Sequence, residues 1–534
     1  MSAGQNAPAG PVGRASRPSL VLAVVLLATF VINLDTTIVN VAVPAISREL
    51  HAGTSGLQWV IDAYNLAFAG LILTGGTVGD RYGRRRTLAT GLAVFAVGSA
   101  IAGYAGSTGA LIGWRVLMGA AAAFIFPTTL SIISQTFPDR AARARAIGAW
   151  GAATGVAVAL GPIIGGELLA HFWWGSVFLA MVPVAILTTI GTLALVPTDA
   201  HVPAVPLDLR GLSLSALGLA SLVYTIIEAP GHGWTSARTL AGFAVAVLAL
   251  SAMVVVEARE RHPMLDVRLF ANVRFTAASG AVTLAFFALS GFVFLIILYF
   301  QITRGYSALE AGVRTLPVAI AIAVSSGLGT LLAVRIGNKI VVATGLLLVG
   351  AGYAWVALAQ TETTPYSLIV AQMLLLGTGM GLSTAPATEA ILGVVRPEQA
   401  GIGSAVNDAT RLVGGTLGVA VLGSVYASLY RSTVDTADVP TAARAAARNS
   451  YAASREVAAQ LPPAAARTLL DRADSGFLDG LHAGCGVAAA VCAVGALIVI
   501  AFLPAHPGPP AGSFAIESEP MPATSEPATG PSRP

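Results

Sequence analysis

Three ionisable residues stand inside stretches that are otherwise apolar. Asp35 lies in Leu34-Asp35-Thr36-Thr37-Ile38, Asp62 in Gln58-Trp59-Val60-Ile61-Asp62-Ala63-Tyr64, and Arg115 in Ile112-Gly113-Trp114-Arg115-Val116-Leu117. A charge at mid-depth in a bilayer costs at least ~2.5–3.5 kcal/mol, so each needs a reason. If their three helices are neighbours, two carboxylates surround one guanidinium. Two close carboxylates in a low dielectric resist being ionised together, which frees one of them to load and release a proton. The bland alternative is a static ion pair that holds three helices together. Asp408 is a further candidate for coupling; Arg411, one turn on, pairs with it locally.

Two glycine-rich patterns accompany these residues. Gly76-Thr77-Val78-Gly79-Asp80-Arg81-Tyr82-Gly83-Arg84-Arg85-Arg86 combines tight-turn glycines with an acid that neutralises arginines or caps a helix. Gly151, Gly155, Gly161, Pro162, Gly165 and Gly166 punctuate one apolar stretch. Small residues let helices touch closely, and a proline frees a carbonyl and bends its helix.

These groups need a membrane to be costly, and the composition supplies one. Of 534 residues, 55% are hydrophobic and 10% charged, with a mean hydropathy of +0.77. A soluble domain carries about 25% charged residues, so a water-soluble globular protein is excluded. Apolar stretches of about 20 residues predict spanning helices, and fourteen are read here, from 19–42 to 478–503. The expected fold is an all-α polytopic membrane protein. The two cysteines, Cys485 and Cys492, are seven residues apart in one apolar stretch, which implies neither a disulfide framework nor a metal cluster.

An even count puts both termini on one side. The arginine-bearing links around 80–86, 140–145 and 259–274 share that side with Arg14 and Arg17, so the positive-inside rule makes it cytoplasmic. The net charge of +4 is thus topology rather than nucleic-acid binding, and Lys339 is the only lysine. Residues 1–18 read as a cytoplasmic tail, 19–198 as a six-helix half, 199–262 as two extra spans, and 263–503 as a second six-helix half. Within the last, 431–476 reads as an outer loop of two short helices split at Pro462-Pro463. Residues 504–534, rich in Pro, Ser and Glu, read as a disordered cytoplasmic tail. A faint repeat supports duplicated halves: Arg115, Gly119 and Pro127 in the fourth span echo Gln372, Gly377 and Pro386 in the twelfth.

With these residues in hand, the chain resembles the major facilitator superfamily, in its fourteen-span drug:proton antiporter branch (the EmrB/QacA type). Gly76–Arg86 is similar to the superfamily's loop motif between spans two and three. Leu34–Pro44, Leu111 through Arg115 to Gly119, and Gly151–Gly166 resemble the branch's motifs of spans one, four and five. The resemblance covers about 20–503 and implies a 6 + 2 + 6 facilitator fold, acting as a monomer in the plasma membrane. It also implies export of a small amphipathic compound, cationic or aromatic, against inward protons, with no cofactor and no nucleic acid. Asp35, Asp62, Arg115 and Asp408 would couple protons to substrate. Gly76, Gly79, Asp80, Arg81, Gly83 and Arg84 would latch the cytoplasmic side, and Gly151–Gly166 would control helix approach. The tenth span, 311–334, lacks the acid with which the QacA-type exporter recognises dications. A nutrient symporter is the alternative, against which the Gly-Pro pattern of span five argues. No nucleotide loop, nucleophile elbow or metal cluster suggests an enzyme.

Overall fold

The computed structural model describes residues 17–198, 208–260, 263, 265–394, 400–434, 439 and 441–504. The tails expected at 1–18 and 504–534 lie almost wholly outside the described residues. Every regular element among the described residues is helical. The first group is α1 (Pro18–Glu49), α2 (Thr54–Tyr82), α3 (Arg84–Ala102), α4 (Thr108–Thr136), α5 (Arg140–His171), α6 (Ser176–Leu179) and α7 (Met181–Leu195). Two helices follow, α8 (Leu209–His232) and α9 (Ala237–Arg259). The second group comprises α10 (Val273–Leu298, running into a π-helical turn at Tyr299–Thr303), α11 (Ala308–Arg314), α12 (Leu316–Ile336), α13 (Asn338–Ala359), α14 (Tyr366–Leu392) and α15 (Ala400–Thr433). It ends with α16 (Thr441–Asn449), α17 (Tyr451–Ala458) and α18 (Pro463–Phe502).

Among the described residues, 12 helical stretches are long and apolar enough to cross a membrane. The helices α2 and α3 are not in that set. α3 opens on Arg84-Arg85-Arg86, and several side chains of α2 lie outside the described residues.

The two groups pair their helices in the same pattern. In the first, α2 and α3 pack on α4, α1 on α5 and α3 on α7; in the second, α12 and α13 pack on α14, α10 on α15 and α13 on α18. The turns match too. Gly83 between α2 and α3 has φ +93° and Gly337 between α12 and α13 has φ +89°, a region open to glycine without strain. α8 lies across the join, packed on both α2 and α15, whereas α9 packs on α8.

Pro18 and Phe502 end at what we call the proximal end of the bundle; the α1–α2 turn lies at the distal end. Side-chain ties between the groups gather distally. Gln301 Nε2 donates to Val41 O at 2.9 Å, Gln58 Nε2 to Ala420 O at 2.9 Å, and Thr54 Oγ1 to Asn449 O at 3.1 Å. In the proximal halves of the helices, Gly70, Gly151, Gly155, Gly280 and Gly327 face open space. Glycines with open space also occur distally, at Gly109 and Gly113, so what distinguishes the distal end among the described residues is its side-chain ties between the groups.

One expectation fails at 431–476. Both short helices, α16 and α17, precede Pro462, and the stretch after it is no separate helix: it joins the last span as α18, a single helix of 40 residues. Proline is tolerated in a first helical turn, so Pro463 starts this helix rather than breaking it.

Candidate functional site

Asp35 and Arg115 meet at the centre of the first group. Asp35 is 0% and Arg115 1% exposed, and Arg115 Nη1 donates to Asp35 Oδ2 at 2.5 Å. The guanidinium is gripped further by α2, since Nε donates to Val60 O at 2.9 Å and the plane lies 4.3 Å from the Tyr64 ring centroid. Phe178 of α6 adds a wall at 5.9 Å. One arginine thus holds α1, α2 and α6 to α4. The other carboxylate oxygen, Asp35 Oδ1, is buried without a hydrogen-bond partner. The pair leaves one acceptor able to take a proton.

The spacing Arg115-x-x-x-Gly119 explains how this grip forms. A Cβ at Gly119 would lie 2.2 Å from Tyr64 O. Only glycine lets α2 come so close, and that approach carries Val60 and Tyr64 to the arginine one turn away.

Asp62 departs from the expected arrangement of two carboxylates around one guanidinium. It is fully buried, and neither of its oxygens has a hydrogen-bond partner. The cause is helical register. Gln58 and Leu66, four residues to either side on the same face, lie against α15 and α8, so Asp62 points there, while the Tyr64 face of α2 meets Arg115. Asp408 does pair with Arg411, at 3.6 Å, and Arg411 lies 4.7 Å from the Phe286 ring. This pair belongs to the second group and does not join Asp35. Tyr64 is 0% exposed and packs against Arg115.

The glycine patterns divide in the same physical way. Gly161 and Gly165 seat α5 on α1, where added Cβ atoms would meet Thr37 Oγ1 at 2.0 Å and Ile38 Cγ1 at 2.9 Å. Gly166 meets Leu309 Cα at 2.4 Å, and the carbonyl of Pro162 lies 2.2 Å from a Cβ built on Gly312. These contacts close the distal end. Gly151 and Gly155 touch no neighbour, so a role for them in helix approach is not met here.

In the loop motif, the side chains of Gly76 and Asp80 lie outside the described residues. A Cβ on Gly79 would meet Thr128 Oγ1 at 3.1 Å. Arg81 lies over the Tyr82 ring, Arg84 donates to Ser131 O, and Arg85 to Leu193 O. These contacts tie the turn to α4 and α7 of its own group. Gln58, with its amide on α15, escaped the sequence reading. Its signal was a polar residue four positions before a buried acid.

Residues 25–419 match the model of the Major Facilitator Superfamily. The chain is 35% identical over 490 residues to "Multidrug efflux pump LfrA" of Mycolicibacterium smegmatis, covering 91% of this chain and 97% of that protein. It is 33% identical over 505 residues to "Tetracenomycin C resistance and export protein" of Streptomyces glaucescens, covering 93% of each. Among solved structures it is similar to a bacterial homologue of the human lysosomal transporter Spinster in an inward-facing, unoccupied conformation. That likeness has a TM-score of 0.64 and 16% identity over 92% of this chain and 99% of that one. The chain belongs to the Major Facilitator Superfamily and is a membrane transporter rather than an enzyme.

Proposed function

We propose that this transporter exports an amphipathic drug or antibiotic in exchange for protons, by alternating access. The observation that carries the reading is the Asp35–Arg115 pair, fully buried yet with one carboxylate oxygen unpartnered. A purely structural ion pair gains most when every buried polar atom is satisfied; one open acceptor suits a group that changes its protonation. The names of the relatives, efflux and antibiotic resistance, supply the direction and class of cargo. Fourteen spans in a 6 + 2 + 6 order, with the drug:proton antiporter branch as the subfamily, complete the reading. α2 and α3 add to the 12 apolar stretches, and the repeated pairing on either side of α8 and α9 supports two halves.

The cycle follows from the geometry. With the termini and arginine-rich links in the cytoplasm, the distal ties would close the outer side of the described conformation. Substrate enters from the cytoplasm or inner leaflet while Asp35 is available as a carboxylate. Opening outward parts Gln301 from Val41 and Gln58 from α15, so that protons from outside reach the acids and substrate leaves. Asp62 has no counter-ion and no donor in the closed form, where the neutral acid is the form this site accommodates. Asp408 with Arg411 would serve as a secondary coupling pair. The glycine seam of α5 limits leak between the halves. The turn at Gly83, with Gly76, Gly79, Asp80, Arg81 and Arg84, would act as the cytoplasmic latch when the inner side closes. The protein would work as a monomer in the plasma membrane.

The test uses everted vesicles with an imposed pH gradient and a panel of cationic dyes and antibiotics. A transported compound dissipates the gradient, and Asp35→Asn abolishes that response. Uptake that survives both Asp35→Asn and a protonophore overturns the reading.

A further inference from the structure

A second buried polar site lies away from the Asp35–Arg115 pair, where α2, α8 and α15 meet. α2 contributes Gln58, Asp62 and Asn65, which are 0%, 0% and 7% exposed. α15 contributes Thr416 and Ser424, 1% and 0% exposed, spaced at four-residue steps around Ala420. Five oxygens here are buried without a hydrogen-bond partner: both of Asp62, Gln58 Oε1, Asn65 Oδ1 and Thr416 Oγ1. Native interiors leave few polar atoms unpaired, so a cluster of this kind asks for an explanation.

The bonds that do form lie on the distal side of Asp62. Gln58 Nε2 donates to Val419 O at 3.1 Å and Ala420 O at 2.9 Å, and lies 3.4 Å from Ser424 Oγ. Ser424 Oγ in turn donates to Ile226 O of α8 at 2.8 Å. Proximal to them, Leu66 and Leu417 pack with Val223, Ile226, Ile227 and Ala420. This buried polar cluster is thus bounded on its distal side by one amide and one hydroxyl, with α8 laid over the seam between the halves.

We propose that Gln58 and Ser424, under α8, are positioning residues that gate access to the buried Asp62, keeping outside water from the acid until α2 and α15 part. The proposal rests on the reading that Asp62 carries a proton in the transport cycle. Charged groups on the surrounding helices stand apart from this cluster. Asp35 and Arg115, from α1 and α4, are joined to each other at another face of α2. Glu228 of α8 sits at the distal rim, accepting from Ser55 Oγ at 2.7 Å. Arg431 of α15 is beside Gly231 at the same rim, and Asp408 and Arg411 lie nearer the proximal end of α15. The extra helix pair, on this proposal, is a lid that lets one acid answer to the outer face alone.

The experiment reads proton flux without substrate into sealed liposomes holding the full-length protein and a pH-sensitive dye. Gln58→Ala should raise that flux about five- to twentyfold, the loss of one or two net hydrogen bonds. Gly423→Ala keeps the Gln58 side chain but puts a methyl 2.6 Å from its Nε2, which must push the amide off its acceptors, and should leak similarly; Ser424→Ala should leak less. Adding Asp62→Asn to Gln58→Ala should return the flux to that of the wild type. A leak that persists in this double variant overturns the proposal. So does wild-type tightness in all three single variants, provided each elutes as a folded monodisperse species. Asp62→Asn that still couples transport to protons is a different failure: it overturns the Asp62 reading beneath. Tightness in all three single variants together with uncoupled Asp62→Asn overturns the gate alone.

Discussion

The two helical groups share a frame and differ in what they bury. α4 seats on α2 through Gly119, and α14 on α12 through Gly377, whose added Cβ would lie 2.5 Å from Val318 O. About a turn before each glycine stands a buried polar residue. In the first group it is Arg115, with four attractive contacts to three helices; in the second it is Gln372, whose Nε2 has no partner. The buried acids Asp35 and Asp62 both belong to the first group. The comparison teaches that a duplicated scaffold carries unequal chemistry: the fully buried Asp35–Arg115 pair lies in one copy, while the other keeps the more exposed Asp408–Arg411 pair.

The largest expected effect breaks this difference directly. Arg115→Ala leaves Asp35 as an uncompensated buried charge, which costs about 3–5 kcal/mol, whereas Gln372→Ala should cost far less because one of its donors is already unsatisfied. Chemical unfolding in detergent measures both; equal losses would mean that the two positions do the same structural job. Next come the shared glycines. Gly119→Ala and Gly377→Ala should each destabilise by about 1–3 kcal/mol from overpacking, and Gly113→Ala, with open space around it, should be close to neutral. Unequal costs at Gly119 and Gly377 would show that the repeated frame is not mechanically equivalent.

The smallest effect concerns the outer hairpin, which the first group lacks. The apolar part of α18 ends well short of its start, and Asp474 stands in the outer portion, accepting from Tyr451 Oη of α17. Burial, with Glu362 nearby, raises its carboxyl from an ordinary 3.8 to about 6. A raised acid binds its proton more tightly when folded. Its contribution therefore favours the docked hairpin at low pH and is lost as pH rises from about 4 through about 6. Trypsin cleavage at Arg448, taken relative to that of an unstructured arginine peptide at the same pH, should be slower at pH 5 than at pH 7.5, and Asp474→Asn should remove the difference.

Much of this was open to reading residue by residue. Apolar runs of bilayer length announce helices, because a backbone in hydrocarbon must bond within its own segment. Asp35, Asp62 and Arg115 stood out for the same reason, as costs without local compensation. The Gly119 spacing and the faint likeness of the fourth and twelfth spans also pointed to a close helix contact and a repeat. The matching turn at Gly337 went unread, since Arg335-Ile336-Gly337-Asn338-Lys339 keeps only part of the arginine-rich pattern around Gly83.

Chain-local signals determine that a segment is helical, how long it runs, and which of its residues are costly to bury. They do not determine which face of a mostly apolar helix meets which neighbour, because a helix hydrophobic nearly all round carries no stripe to orient it. Tertiary packing alone decided that Arg115 takes Asp35 and leaves Asp62 to α15. It alone decided that Gly161, Gly165 and Gly166 touch while Gly151 and Gly155 do not. Those outcomes depend on contacts between residues tens to hundreds of positions apart, where one turn of helix rotation exchanges a partner for open space.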